Sequence, residues 1–104
     1  NAPLRSGDAG ERFRDAFESR IFPGLKNFSP DIILISAGFD AHEADPLASL
    51  RLVEADFLWI TEQLVSYAER QCDGRIVSML EGGYDLTALA RSVGVHVRAM
   101  MDAG

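Results

Sequence analysis

Two polar segments, each directly after an apolar run, hold the residues of this chain that are best suited to chemistry. The first follows Ile32–Ile35 and contains Asp40, His42 and Asp45, all of them residue types that ligate metal ions. The second contains Tyr84 behind two glycines. A tyrosine hydroxyl has an ordinary pKa of about 10, so it stays protonated at neutral pH and can donate a hydrogen bond to an oxyanion. The two segments together predict one site for metal or acid–base chemistry.

The local sequence leaves a structural interpretation open for each of these residues. Asp45 precedes Pro46 and is either a metal ligand or a turn aspartate, and without further information the turn is the commoner of the two. We interpret Asp40 as a hydrogen-bonding brace for its loop rather than a ligand. Tyr84 is either an oxyanion donor or a half-buried tyrosine at a helix start. We expect His42 to be an exposed loop histidine without a role as a ligand.

Four further residues have supporting roles in this interpretation. Gly82 and Gly83 allow a sharp turn of the backbone, which presents the residue that follows them. Glu81 either accepts a hydrogen bond behind the site or is a solvated loop acid, and we favour the first. His96 lies near the apolar face of the last helix and is expected to be a packing residue.

The apolar patterns predict the elements that must position these residues. Helical spacing and apolar runs predict an α/β chain in the order helix, strand, helix, strand, helix. Pro23 and Gly24 should end or interrupt the first helix, leaving 25–28 as a turn or a short second helix. The predicted strands span about 31–36 and 75–80, and the predicted helices about 11–22, 53–71 and 86–101.

A strand, a crossover helix and a second strand form a βαβ unit with parallel strands. Because Ile32–Ile35 is a continuous apolar run, we expect this strand to be covered on both faces. The carboxyl ends of parallel strands lie at one edge of a sheet, so residues 40–45 and Tyr84 should be neighbours.

Composition limits the class of protein. A chain of 104 residues with 47% hydrophobic and 25% charged residues is at most one globular domain, here residues 1–104. The net charge of −6 argues against nucleic acid and anionic membranes as partners and suits a cationic substrate. Cys72 is the single cysteine, which excludes an internal disulfide and agrees with a reducing cytoplasm. The sequence contains no apolar run of the roughly 20 residues that cross a bilayer.

Three segments taken together resemble the zinc-dependent histone deacetylase family: Ser29–Leu47, Leu50–Phe57 and Ser78–Leu86. The chain is most similar to the carboxyl-terminal part of class II members and of bacterial histone-deacetylase-like amidohydrolases. Acetylpolyamine amidohydrolases and acetoin-utilisation proteins are neighbouring groups. The resemblance covers essentially the whole chain and implies a fragment of the three-layer αβα arginase/deacetylase-like fold.

The resemblance also implies roles for single residues. Asp45 matches one of the family's three zinc ligands, and Tyr84 matches the tyrosine that polarises the acetyl carbonyl. Asp40, together with Glu81, Gly82 and Gly83, would support and shape the site. The implied substrate is acetyl-lysine or a small acetylated amine, and no substrate-binding residue is assigned.

The family's Asp-x-His and His-His motifs are absent, since the two histidines of this chain match neither. We therefore expect the 104-residue chain to be inactive alone and to bind zinc only weakly. Two parallel strands alone leave sheet edges and apolar faces uncovered, so we also expect this chain to self-associate. It begins at Asn1 rather than Met, so we expect it to be a piece of a longer, deacetylating protein. The alternative is a non-catalytic α/β binding or interaction module.

Overall fold

The computed structural model describes residues 4–38, 42, 52–82 and 86–102. The elements follow the predicted order. They are helix α1 (Gly10–Ala16), a π-helical turn (Phe17–Ile21), helix α2 (Phe22–Phe28), strand β1 (Ile33–Gly38), helix α3 (Glu54–Gln71), strand β2 (Ile76–Gly82) and helix α4 (Leu86–Met101). Within these ranges, no helix has the length and apolar character needed to cross a membrane.

The first helical segment is longer than the predicted 11–22. It continues through Pro23 to Phe28, and the π-helical turn separates α1 from the short helix α2. Pro23 lies in the first turn of α2, directly after the π-helical turn, and donates no backbone hydrogen bond there. Ser29 then ends the helix in the left-handed conformation, with φ of 53°. The prediction that Pro23 and Gly24 end or interrupt the helix is therefore wrong, whereas a short second helix is present and begins at Phe22, before the predicted 25–28.

Strands β1 and β2 pair in parallel, in register from Ile33 opposite Ile76 to Ala37 opposite Leu80. A bulge follows, so that Gly38 lies opposite Gly82. Each strand begins and ends slightly later than predicted. Gly38 and Gly82 were predicted to lie in loops, whereas they extend the pairing of the two strands.

Only one face of the sheet is covered in the part of the chain that the structure describes. Ile33 and Ala37 are buried against residues of α3, with α4 packed beside it. On the other face the side chains of Leu34 and Met79 are 62% and 53% exposed. The predicted cover on both faces is thus not complete within these residues, because the helices that pack against the strand lie on the same face, and the apolar face left open agrees with the expectation for two strands alone.

The start of α3 is stabilised by a carboxylate rather than by a Ser or Thr cap. The side chain of Asp56 accepts a hydrogen bond from the backbone N–H of Val53 at 2.9 Å. Arg14 of α1 approaches the same carboxylate at 3.5 Å. Gly10 packs directly against Asp56, which brings the start of α1 onto the start of α3.

Candidate active site

The two strands end side by side, as the sequence predicted. Gly38 and Gly82 are paired at the carboxyl edge of the sheet, and the two polar segments continue from these positions. Asp40, Asp45, Gly83 and Tyr84 lie outside the described residues, so their predicted roles remain predictions.

Glu81 and Gly82 belong to strand β2 rather than to the loop that the sequence indicated. The bulge leaves Glu81 without an opposite residue on β1, since Leu80 pairs with Ala37 and Gly82 with Gly38. A bulge bends a strand and redirects the residues that follow it. The backbone is therefore redirected immediately before the segment that contains Tyr84.

His42 is buried, with only 3% of its surface exposed, so the expectation of an exposed loop histidine is wrong. Its backbone pairs with Leu52, which is also buried, in an isolated parallel bridge. Its ring lies nearly parallel to the ring of Phe57, at 10° and with centroids 6.4 Å apart. These contacts bury His42 because the chain returns to it ten residues later, which a local pattern cannot indicate.

Glu54, the first residue of α3, is the charged partner of His42. Its Oε1 lies 3.2 Å from His42 Nε2 and 3.1 Å from Nε of Arg91 on α4. The His42 contact is a short ion-pair distance rather than an aligned hydrogen bond. One carboxylate oxygen thus contacts both the segment after β1 and helix α4.

The surroundings of Glu54 favour its ionised form. Its pKa is lowered from the ordinary value chiefly by a hydrogen bond from its own backbone N–H. Burial acts in the opposite direction, and the contacts with His42 and Arg91 lower the pKa further. Glu54 is therefore a carboxylate at neutral pH.

His96 on α4 lies in the core, as expected of a packing histidine, but it is also hydrogen-bonded at both ring nitrogens. Nδ1 lies 2.8 Å from the hydroxyl of Thr61, and Nε2 lies 2.8 Å from the hydroxyl of Ser78. Burial lowers the pKa of His96, which keeps the ring neutral. The histidine thus connects α4 to α3 and to β2.

The hydrogen bonds around His96 indicate which ring nitrogen carries the proton. The Thr61 hydroxyl donates its only proton to the carbonyl of Phe57 at 2.7 Å. Its oxygen must therefore accept the proton on His96 Nδ1, which leaves Nε2 to accept from the Ser78 hydroxyl. Ser78 lies in β2, four residues before its end at Gly82.

Across residues 4–38, 42, 52–82 and 86–102 the structure brings together no three His, Cys, Asp or Glu side chains that could hold a metal ion. Sequence reasoning missed the contacts of Glu54, whose partners His42 and Arg91 are 12 and 37 positions away. It also missed Thr61 and Ser78. Neither has a local signal, since their shared partner His96 is 35 and 18 residues away.

Comparison with known proteins agrees with this architecture. The histone deacetylase domain, as a family, matches residues 1–100. Histone deacetylase 14, chloroplastic, of Arabidopsis thaliana is 43% identical over 101 residues, which are 97% of this chain and 24% of that protein. The histone deacetylase-like amidohydrolase of Pseudomonas aeruginosa is 37% identical over 84 residues, 81% of this chain and 22% of that protein.

A solved structure, that of the HDA15 HD domain, superposes with a TM-score of 0.86 at 32% identity. The match covers 96% of this chain and 28% of that domain's chain. The predicted deacetylase-like α/β fold is confirmed by this likeness. The chain spans only part of the length of these relatives, 24% of the Arabidopsis protein and 22% of the Pseudomonas protein. By its sequence and its fold, this chain belongs to the histone deacetylase family.

Proposed function

We propose that the whole protein is a zinc-dependent deacetylase, which removes acetyl groups from acetyl-lysine or from small acetylated amines by means of an activated water. One observation carries the proposal. In a chain of the histone deacetylase family, the strands that precede Asp45 and Tyr84 are parallel and end as a pair at Gly38 and Gly82. Both residues follow the same edge of the sheet, where open α/β sheets place their active sites.

The roles of the residues follow from their chemistry. The carboxylate of Asp45 is one zinc ligand, and a carboxylate oxygen suits that ion. Bound zinc would lower the pKa of a water and act as a Lewis acid toward the acetyl oxygen. The Tyr84 hydroxyl donates a hydrogen bond to this oxygen as negative charge develops on it. Asp40, Glu81, Gly82 and Gly83 hold the two segments in place.

The substrate proposal rests on charge as well as on family. The net charge of −6 attracts cations, and an acetylpolyamine keeps protonated amines beside its acetylated nitrogen, whereas an acetylated lysine side chain is itself neutral. Measurement of kcat/KM for an acetylated lysine peptide and for an acetylpolyamine with the whole protein distinguishes these two substrate classes.

The isolated chain supplies one of the three zinc ligands that its family uses. A catalytic zinc site needs three protein ligands, so we expect the 104-residue chain alone to be inactive. Titration of this chain with zinc, monitored by competition with a chelating dye, should give a dissociation constant above about 1 µM, because a single carboxylate binds zinc weakly. A tighter site would contradict the proposed division of the ligands.

We also propose a cytoplasmic location for the protein, which agrees with the free thiol of Cys72. The Arabidopsis relative carries the word chloroplastic in its name, so an organelle is the competing location. Microscopy of the whole protein fused to a fluorescent protein distinguishes the two.

The Tyr84→Phe variant of the whole protein tests the mechanism. The change removes one hydroxyl, so kcat should fall about 100-fold or more while zinc content is unchanged, because the oxyanion loses its donor. Tyr67→Phe is the matched control. It removes the other tyrosine hydroxyl of this chain, which donates to the carbonyl of Leu25 in α2, and should leave kcat within about twofold.

Two results would overturn the proposal. A Tyr84→Phe protein with wild-type kcat would remove the tyrosine from the mechanism. A wild-type whole protein that neither binds zinc nor hydrolyses acetyl-lysine and acetylpolyamine would favour the non-catalytic α/β module instead.

A further inference from the structure

The carboxylate of Glu54 joins two parts of the chain that are far apart in sequence. Its Oε1 is 3.2 Å from His42 Nε2 and 3.1 Å from Arg91 Nε. His42 comes three residues before Asp45, and Arg91 lies in α4, which begins two residues after Tyr84. Glu54 therefore contacts the flanks of both segments of the proposed site.

The contact between Glu54 and His42 is largely removed from water. The side chain of His42 is 4% exposed, and Phe57 stacks beside its ring. The side chain of Glu54 is 28% exposed. A carboxylate that is partly removed from water interacts more strongly with the polar groups beside it than a carboxylate at the surface. The side chain of Arg91 is 63% exposed, so its ion pair with Glu54 is the weaker of the two contacts.

The backbone adds a second constraint at the same place. His42 pairs with Leu52, and Glu54 follows Leu52 by two residues at the start of α3. His42 and Leu52, whose backbones are paired, therefore lie on either side of Asp45 in the sequence. Removing the Glu54 carboxylate would break the side-chain contact with His42 and leave the backbone pairing of His42 with Leu52 in place.

We propose that Glu54 is a positioning residue of the deacetylase site, holding His42 and Arg91 so that the segments of Asp45 and Tyr84 keep their relative placement. This inference rests on the proposed function. Glu54 contacts neither the substrate nor the metal in this account, and its role does not depend on a change of protonation. Groups that orient the ligands of a metal typically change its affinity by about 10- to 100-fold when they are removed.

The test is Glu54→Gln in the whole protein, which removes the charge and keeps the shape. We expect zinc affinity to fall about tenfold and kcat to fall by a similar factor, with KM changed less than about twofold. Zinc affinity is measured by competition with a chelating dye, well below the unfolding midpoint. Glu62→Gln is the matched control, being the same change on the same helix at an exposed position. It should leave all three quantities unchanged.

Arg91→Gln provides a second variant at an exposed side chain, which keeps the test decisive if Glu54→Gln fails to fold. It should lower zinc affinity in the same direction by about two- to fivefold. Zinc affinity and kcat equal to wild type in the folded variants would overturn the positioning role, even if the unfolding midpoint fell. Absence of zinc binding and deacetylation in the wild-type protein would instead overturn the proposed function, and this inference with it.

Discussion

At the scale of single residues, the two histidines are both buried but differ in the polar groups that surround them. His42 is buried beside a carboxylate, and His96 is buried between two hydroxyl groups. In the first environment, the carboxylate oxygen of Glu54 lies 3.2 Å from Nε2 of His42. The hydroxyl groups of Thr61 and Ser78 carry no negative charge that would stabilise a protonated His96, so desolvation lowers the pKa of His96.

The lowered pKa of His96 predicts a dependence of stability on pH. The unfolded chain binds a proton at about pH 6.5, where the folded protein still keeps His96 neutral. The unfolded state therefore takes up more protons, and stability should decrease as the pH falls below about 6.5. Glu54, whose pKa is lowered, loses its contribution only at more acidic pH, below its ordinary value of 4.5.

We expect the unfolding midpoint of the whole protein to decrease between about pH 7.5 and 5.5, and the decrease to be smaller in His96→Gln. Glutamine keeps a donor and an acceptor but does not titrate in this range. Thermal unfolding at both pH values checks this. Parallel pH profiles of the two proteins would contradict a neutral, buried His96.

At the scale of elements, the contact between α1 and α3 depends on a glycine. A side chain at Gly10 would collide with the carboxylate of Asp56, which already accepts from the Val53 N–H and contacts Arg14. The close approach of the two helix starts therefore requires the missing Cβ of glycine. The aromatic rings of Phe13 and Phe17 continue the same packing, and Phe17 meets Trp59 of α3.

Gly10→Ala should reduce the free energy of unfolding by about 1–3 kcal/mol, because Asp56 must move away from its hydrogen bond. Gly24→Ala is the matched control. Gly24 is exposed in α2, with no atom within 4 Å of an added Cβ, so alanine should raise the free energy of unfolding by about 0.5–1 kcal/mol. Urea unfolding of both variants measures the difference. Equal effects of the two changes would show that the approach to Asp56 does not matter.

At the scale of the whole molecule, the uncovered face of the sheet is the main feature. Leu34, Val77 and Met79 form one apolar surface and are each about half exposed or more. A sheet of two strands with an exposed apolar face has a strong tendency to associate. The Arabidopsis relative, of which the chain covers 24%, has further residues beyond the matched part.

We expect the isolated 104-residue chain to self-associate through this face. Replacing Val77 and Met79 by threonine should shift the chain toward monomer, since the apolar area that drives association is removed. Phe28→Ser is the control, because Phe28 is also an exposed apolar residue but lies at the end of α2. Light scattering over a dilution series measures the mass. A monomer at all concentrations would contradict the prediction.

The sequence alone determined the order of the elements, their approximate bounds, the parallel pairing and the family. These depend on periodic apolar residues and on motifs such as the one around Asp45, which are local and are therefore readable from the chain. The errors fall where local and tertiary information differ. Pro23 was expected to limit a helix that continues beyond it, and Gly38 and Gly82 were treated as loop residues although they pair.

The tertiary structure decided which polar residues meet. His42, Glu54 and Arg91 are separated by 12 and 37 positions, and His96 is held by residues of a different helix and of a strand. Such contacts depend on how helices pack on the sheet, and no pattern within a single segment encodes them. The loop that the sequence singled out for Asp45 is thus attached through a buried histidine, because the chain folds back at Leu52 and places the first carboxylate of α3 beside it.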